Sequence, residues 1–302
     1  MFGATGGLVL AMIAWGAQVP LISLISDRYD PYLLAALRFA GGAPLLLLAL
    51  RLAERGPLFA GLPLRWLAGL GVAVAAFGTL YTAGIANAHP VTAAVLSAMS
   101  PATAALVAWA VLGSRPTRLT TFAVVLVALG GVLATVDFDY PETFRLRGGE
   151  VLILLGSACW SWYSIEAQRR LPGASQLRIT ATVMSVAALF LLVVYACAGA
   201  AQVTRGSLGD ATPADFGIFA MMIVGVVVVG SFFWNYGVAR LGVVIASMYL
   251  NLIPVVALLV SVGLGYHVRF EQLLGGGIVL AGVTLAQAGP QFLRVRRSRA
   301  RG

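Results

Sequence analysis

The chain has 302 residues, 60% of them apolar and 10% charged, where a soluble domain carries about a quarter charged; a chain this poor in charge cannot cover a water-facing surface. Its formal charge of +9 comes from 20 basic residues, all arginine, against 11 acids, and their placement suits a membrane rather than a nucleic acid. Cys159 and Cys197 sit in apolar runs without motif spacing, so no disulfide framework, metal site or cofactor is expected.

A helix needs about 20 apolar residues to cross the hydrocarbon core. Ten segments meet that, at about 4–26, 32–52, 66–87, 90–113, 118–136, 149–168, 176–199, 214–239, 242–266 and 271–290. The first has no charged region ahead of it and is long enough to span, which reads as a helix rather than a cleaved signal. The connections are short. Two longer ones, Asp137–Gly148 and Ala200–Pro213, are too small to be domains.

One stretch occurs twice. Over the 24 positions from Gly84 to Val107, eight recur 153 residues later: Gly84, Ala86, Val91, Ala93, Pro101, Ala104, Leu106 and Val107 match Gly237, Ala239, Val244, Ala246, Pro254, Ala257, Leu259 and Val260. Each copy reads as a helix end, a tight turn and a second helix with a proline near its middle. Trp15-Gly16 likewise pairs with Trp160-Ser161, and Leu37-Arg38 with Leu177-Arg178. The expected fold is therefore all-α and integral to the membrane, ten transmembrane helices in two five-helix repeats, 1–140 and 141–302, the second ending in a basic cytoplasmic tail. Five is odd, so the second copy enters from the opposite side. Inverted repeats of this kind characterise secondary transporters, which can open a central site to either side.

Cytoplasmic loops retain positive charge. With the N-terminus inside, inner loops and tail hold 14 arginines with Glu54 and Glu166, while outer loops hold five arginines with nine acids. Both termini are thus expected inside, and the Arg294–Arg301 tail is a topology anchor near anionic lipid.

Pro101 and Pro254 are the candidate hinges. A proline inside a helix frees the carbonyl four residues back, here Ser97 and Leu250, and bends the axis; the freed group can face a wet cavity or the bend can simply serve packing. Near them, Ser97, Met99 and Ser100 on one side and Ser247, Tyr249 and Asn251 on the other are candidate substrate-binding groups. Ser247, Asn251 and Pro254 share a helix face, and the Asn251 amide is expected to point inward, although such groups also join helices by hydrogen bonds. A second matched set is Tyr81-Thr82 against Trp234-Asn235, joined by Trp15, Gln18, Trp160 and Tyr163. Trp15 and Trp160 lie too deep for an interfacial belt, where Trp66 belongs; they either fill the core or wall a site for flat apolar cargo and ammonium groups.

His89, alone in a turn, is expected to be solvated. Arg38, several residues inside its helix, can snorkel outward, pair with an outer acid or receive a substrate carboxylate; snorkelling is the default. No carboxylate lies in the middle of any helix, which argues against coupling through a buried acid.

The five-plus-five arrangement, Trp15-Gly16 in the first helix, Arg38 early in the second, and the Leu241-to-Ser247 approach to Pro254 resemble the drug/metabolite transporter superfamily, EamA branch. Within it the chain is most similar to exporters of aromatic amino acids of the YddG type. The resemblance implies a central cavity walled by helices 1 to 4 and 6 to 9, with helices 5 and 10 peripheral. The expected function is export of small amphipathic metabolites, aromatic amino acids first, by alternating access across a bacterial inner membrane, as a monomer or weak dimer in the lipid bilayer. An exporter of another metabolite or drug class, a channel, and an intramembrane enzyme are the alternatives. The last lacks any Gly-x-Ser-x-Gly, His-Glu-x-x-His or clustered metal ligands.

Overall fold

A computed structural model describes residues 3–59, 61–113, 118–134, 148–204, 208–241, 246 and 249–299. Most of the Asp137–Gly148 connection, Ser247, most of the approach to Tyr249 and the side chains of the basic tail lie outside the described residues. Those described form helices and no strand. In chain order they are α1 (Ala4–Ile25), α2 (Pro31–Ala53), α3 (Leu64–Ala86), α4 (Pro90–Ser97), α5 (Ser100–Leu112), α6 (Arg118–Leu133), α7 (Gly149–Arg170), α8 (Gln176–Ala200), α9 (Pro213–Ala220), a π-helical stretch (Met221–Gly230), α10 (Ser231–Leu241), α11 (Leu252–Gly263) and α12 (Phe270–Arg299).

Local chemistry fixes several starts. The Asp30 carboxylate accepts from the Leu33 N–H at 2.8 Å and Pro31 opens α2, an N-cap with proline in the first turn, where no donor is needed. Ser175 caps α8 through the Arg178 N–H at 3.0 Å. Thr212 and Asp215 form a reciprocal capping box at α9. His89 is no solvated loop residue: its Nδ1 accepts from the Val91 N–H at 3.3 Å and lies 3.0 Å from Gln272 Nε2 of α12.

Five stretches are long and apolar enough to cross a membrane: α1, α2, α3, α8 and the continuous Pro213–Gly237. Pro90–Ser97 and Ala102–Leu112, bent by 43°, make a sixth if taken together. The other segments are less clear-cut than the sequence reading expects. α7 has 22 residues, but Ser157, Ser161, Ser164, Glu166 and Gln168 dilute its apolar run. The apolar parts of α6, α11 and α12 are short. On α6, Phe122, Val125, Leu129 and Val132 are exposed at helical spacing; an apolar stripe of this kind needs cover in water and none in hydrocarbon.

Interior prolines do not by themselves break these helices, since Pro20 and Pro44 lie within unbroken α1 and α2. Pro101 and Pro254 differ. Each lies in the first turn of a helix that follows a break, at Ala98–Met99 and at the 3₁₀ turn Tyr249–Asn251. The Ser97 carbonyl freed by Pro101 accepts the Ser100 hydroxyl at 2.7 Å, so it has a local partner.

Packing pairs α3 with α7, α2 with both α8 and α3, and α1 with α10, α11 and the π stretch. α6 and α12 pack chiefly on one another, at the edge. Small residues allow the closest approaches, as is usual between membrane helices. A Cβ added to Gly84 would lie 2.7 Å from Ile153 Cγ1 and 2.8 Å from the Gly149 carbonyl oxygen, and one on Gly130 would lie 2.7 Å from the Gly275 carbonyl oxygen. Gly84→Leu is therefore expected to push α3 off α7 and cost about 1–3 kcal/mol, the usual range for overpacking. Thermal unfolding in detergent measures it, and an unchanged midpoint would show that this contact yields freely.

Candidate functional site

A cavity lies where α1, α2, α3, α7 and α8 meet the broken segments. About 100 Å³ of it is open to the centre of a water molecule, room for several waters. One wall is aromatic. Trp15 meets Trp234 at 5.6 Å and Trp160 edge-on at 6.1 Å between ring centroids; Trp160 meets Phe77 at 4.9 Å, and Phe77 meets Tyr81 at 5.1 Å. The row runs unbroken from α10 through α1 and α7 to α3, with rings from both halves of the chain. Its edge-on and tilted contacts are those that ring quadrupoles favour.

Backbone irregularity seats the row. The indole Nε1 of Trp15 donates to the Val226 carbonyl at 3.1 Å, inside the π-helical stretch. π geometry displaces carbonyls from the regular ladder and is often found at functional sites. Gly230 lies directly against Trp15 Nε1, leaving no room for a Cβ. The Gly225-to-Gly230 run is almost pure valine and carries no signal of this irregularity.

Polar side chains adjoin this row. Tyr81 donates to Ser97 Oγ at 2.6 Å, and Ser97 donates to the Ala93 carbonyl at 2.7 Å. Arg38 does not snorkel. It is 2% exposed, turns into the cavity wall, and donates to Gln18 Oε1 at 2.8 Å and Thr82 Oγ1 at 2.7 Å. Helix α2 packs on α3 and α8, so this face of it points to protein; snorkelling would need a lipid face or a free helix end.

Of the residues singled out in the sequence, Trp15, Gln18, Tyr81, Ser97, Ser100, Trp160 and Trp234 line this cavity. Met99 does not: a Cβ on Gly131 would lie 2.5 Å from its sulfur, so it packs toward α6. Tyr163 is buried behind the wall, 5.1 Å from the Trp160 ring. Asn235 donates to Thr180 Oγ1 and joins α10 to α8. Tyr249 and Asn251 are half-buried in the 3₁₀ turn and outside the lining, to which their neighbour Leu250 contributes. Pro254 lines a separate lateral pocket between α4, α11 and α12. Lining residues the sequence reading passed over include Phe77, Ser157, Met184, Val226 and Ser231. Phe77 was legible as one turn from Tyr81 on the same helix face.

At the end of the bundle where α1 closes, Arg28 grips Asp215 with both terminal nitrogens at 2.6 and 2.7 Å. Tyr29 and the Thr212 N–H and hydroxyl also donate to that carboxylate, at 3.2, 2.9 and 2.8 Å. At the other end Arg178 meets Glu54 at 3.0 Å. Each pair links the first half of the chain to the second.

An aromatic-walled, mostly apolar cavity with a few polar side chains, inside a bundle of apolar helices, marks a multi-pass membrane protein. Residues 3–136 and 147–287 match the EamA-like transporter family, and the chain belongs to it. Its relatives include the uncharacterized transporter YyaM of Bacillus subtilis (strain 168), 25% identical over 71% of this chain and 70% of that one. The uncharacterized transporter YrdR of the same organism is 22% identical over 92% of this chain and 88% of its own length. A probable terminal-alkyne amino-acid exporter of Streptantibioticus cattleyicolor is 26% identical, covering 93% and 92%. A solved crystal structure matches 96% of this chain and 98% of its own with a TM-score of 0.66 at 19% identity, a likeness of fold alone.

Proposed function

We propose that this chain exports small amphipathic metabolites, aromatic amino acids foremost, across a bacterial inner membrane by alternating access, with both termini in the cytoplasm. The observation that carries the reading is the aromatic row shared between the two halves. A flat apolar side chain can lie on it while the head group meets Gln18, Ser97 and Ser100. The amino-acid exporter among the relatives supports the cargo class.

Two inverted five-helix repeats underlie the mechanism. In their support, the family matches once in each half, and the contacts are paired. α1 packs on α10 as α7 packs on α3; α1 packs on α11 as α7 packs on α4 and α5; α2 with α8 and α6 with α12 are pairs of counterparts. Trp15 and Trp160, the matched tryptophans, meet across the middle. Two like halves can exchange roles, and the end-to-end pairs Arg28–Asp215 and Glu54–Arg178 are placed to close either end.

Cells preloaded with a phenylalanine dipeptide test the reading. Cells that express the chain are expected to release phenylalanine faster than cells without it. Equal release would remove aromatic amino acids and leave another metabolite class.

A further inference from the structure

Arg38 carries a charge that nothing in the described structure neutralises. A guanidinium stays protonated at neutral pH, and a charge held at membrane depth is costly unless it is paired. Its two terminal nitrogens reach neutral acceptors, Gln18 and Thr82, while Nε, buried, has no hydrogen-bond partner. Arg38 forms no ion pair among the described residues. The nearby chemistry offers none either: among the described residues, no aspartate or glutamate lines the cavity. Asp215, Glu54, Glu166 and Glu271 are engaged by Arg28, Arg178, the Arg169–Arg170 pair and Arg269, and Glu150, buried in the first turn of α7 with one oxygen unpartnered, is outside the cavity lining.

Two contacts position the cation for cargo. Gln18, which accepts from it, is one helical turn beyond Trp15, and Thr82 directly follows Tyr81. The guanidinium therefore sits beside the aromatic row. A planar guanidinium whose Nε still lacks an acceptor has a donor left for a carboxylate.

We propose that Arg38 is the anion site of the cavity and takes the carboxylate of the cargo. The proposal rests on the transport reading above and narrows it: the required parts are a carboxylate and an apolar, preferably aromatic, tail. An amino group is optional, since no acid awaits it and an indole face can accept it. Aromatic carboxylates lacking the amine are bound; aromatic amines lacking the carboxylate are not.

Equilibrium dialysis of the solubilised full chain against radiolabelled 3-phenylpropionate, phenylalanine and 2-phenylethylamine tests this. Phenylpropionate and phenylalanine are expected to bind, and phenylethylamine to bind at least about tenfold more weakly. Arg38→Gln is expected to weaken phenylpropionate by about ten- to a hundredfold, the size of a lost charged hydrogen bond. Should that variant fold poorly, Gln18→Glu serves instead. It sets a carboxylate where Oε1 now lies 2.8 Å from the guanidinium, so it is expected to raise the unfolding temperature while abolishing phenylpropionate binding. Because Gln18 itself lines the cavity, Arg38→Lys is read beside it, keeping the charge without the planar fork and expected to bind phenylpropionate several-fold more weakly, where repulsion by the new carboxylate alone would leave that variant unaltered. Phenylethylamine binding as tightly as phenylpropionate, or unaltered phenylpropionate binding in these variants, overturns the proposal. Phenylpropionate binding that depends on Arg38 with no phenylalanine binding overturns the amino-acid reading and leaves the anion site standing. Phenylalanine binding indifferent to Arg38 does the reverse, and no binding of any of the three overturns both.

Discussion

Trp160→Ala is expected to weaken phenylalanine counterflow more than threonine counterflow, by about 1–3 kcal/mol for a lost apolar contact. Trp160 is the ring on which the aromatic row turns, in contact with Trp15, Phe77 and Tyr163. Its loss opens the wall where a large side chain would lie and leaves the polar groups around Ser97 in place. Threonine, too small to use the wall, should lose less. Mere destabilisation would lower both cargoes in step and reduce the yield of folded protein. Asn251→Ala is the control: Asn251 lies outside the lining, so the two cargoes should respond to it alike. Equal loss of both cargoes in Trp160→Ala would make that ring core filling.

Replacing Pro101 and Pro254 together with alanine is expected to leave a folded protein with transport reduced several-fold. Without proline, each segment regains the missing N–H and can continue the helix across its break. The 43° bend between the helices flanking Pro101 would then straighten, and Leu250 and Ile253, which line the cavity before Pro254, would rotate. The single Pro101→Ala change is expected to do less, because the Ser100 hydroxyl still competes for the Ser97 carbonyl. Transport by the double variant at the unmutated rate would return both prolines to packing.

Residue chemistry repeated at matched places was legible in the sequence. The depth of Trp15 and Trp160 follows from counting residues into each apolar run, whereas their meeting at 6.1 Å comes from the fold. Arg38 was visible as an arginine inside an apolar helix, but its direction depends on which face of α2 meets α3 and α8, and two all-apolar faces look alike in sequence. Asn235 and Met99 show the same limit. Each has the polarity or bulk of a cavity residue, and each is claimed by a partner distant in the chain, Thr180 or Gly131. The π stretch leaves no mark because a run of glycine and valine reads only as an apolar span, with no residue type that singles out π over α geometry. His89 was read as a loop residue for want of Gln272, whose position 183 residues away only the fold supplies.

The central claim, that cargo crosses through the cavity between the two halves, is tested most directly by counterflow in liposomes reconstituted with the unmutated chain. Excess unlabelled phenylalanine is placed inside, and uptake of labelled phenylalanine is followed against time. A carrier that alternates between two openings exchanges one for the other, so the predicted result is transient, saturable accumulation of label above its outside concentration. Label that merely equilibrates, without overshoot or saturation, would show a channel, and label that does not enter would contradict the account.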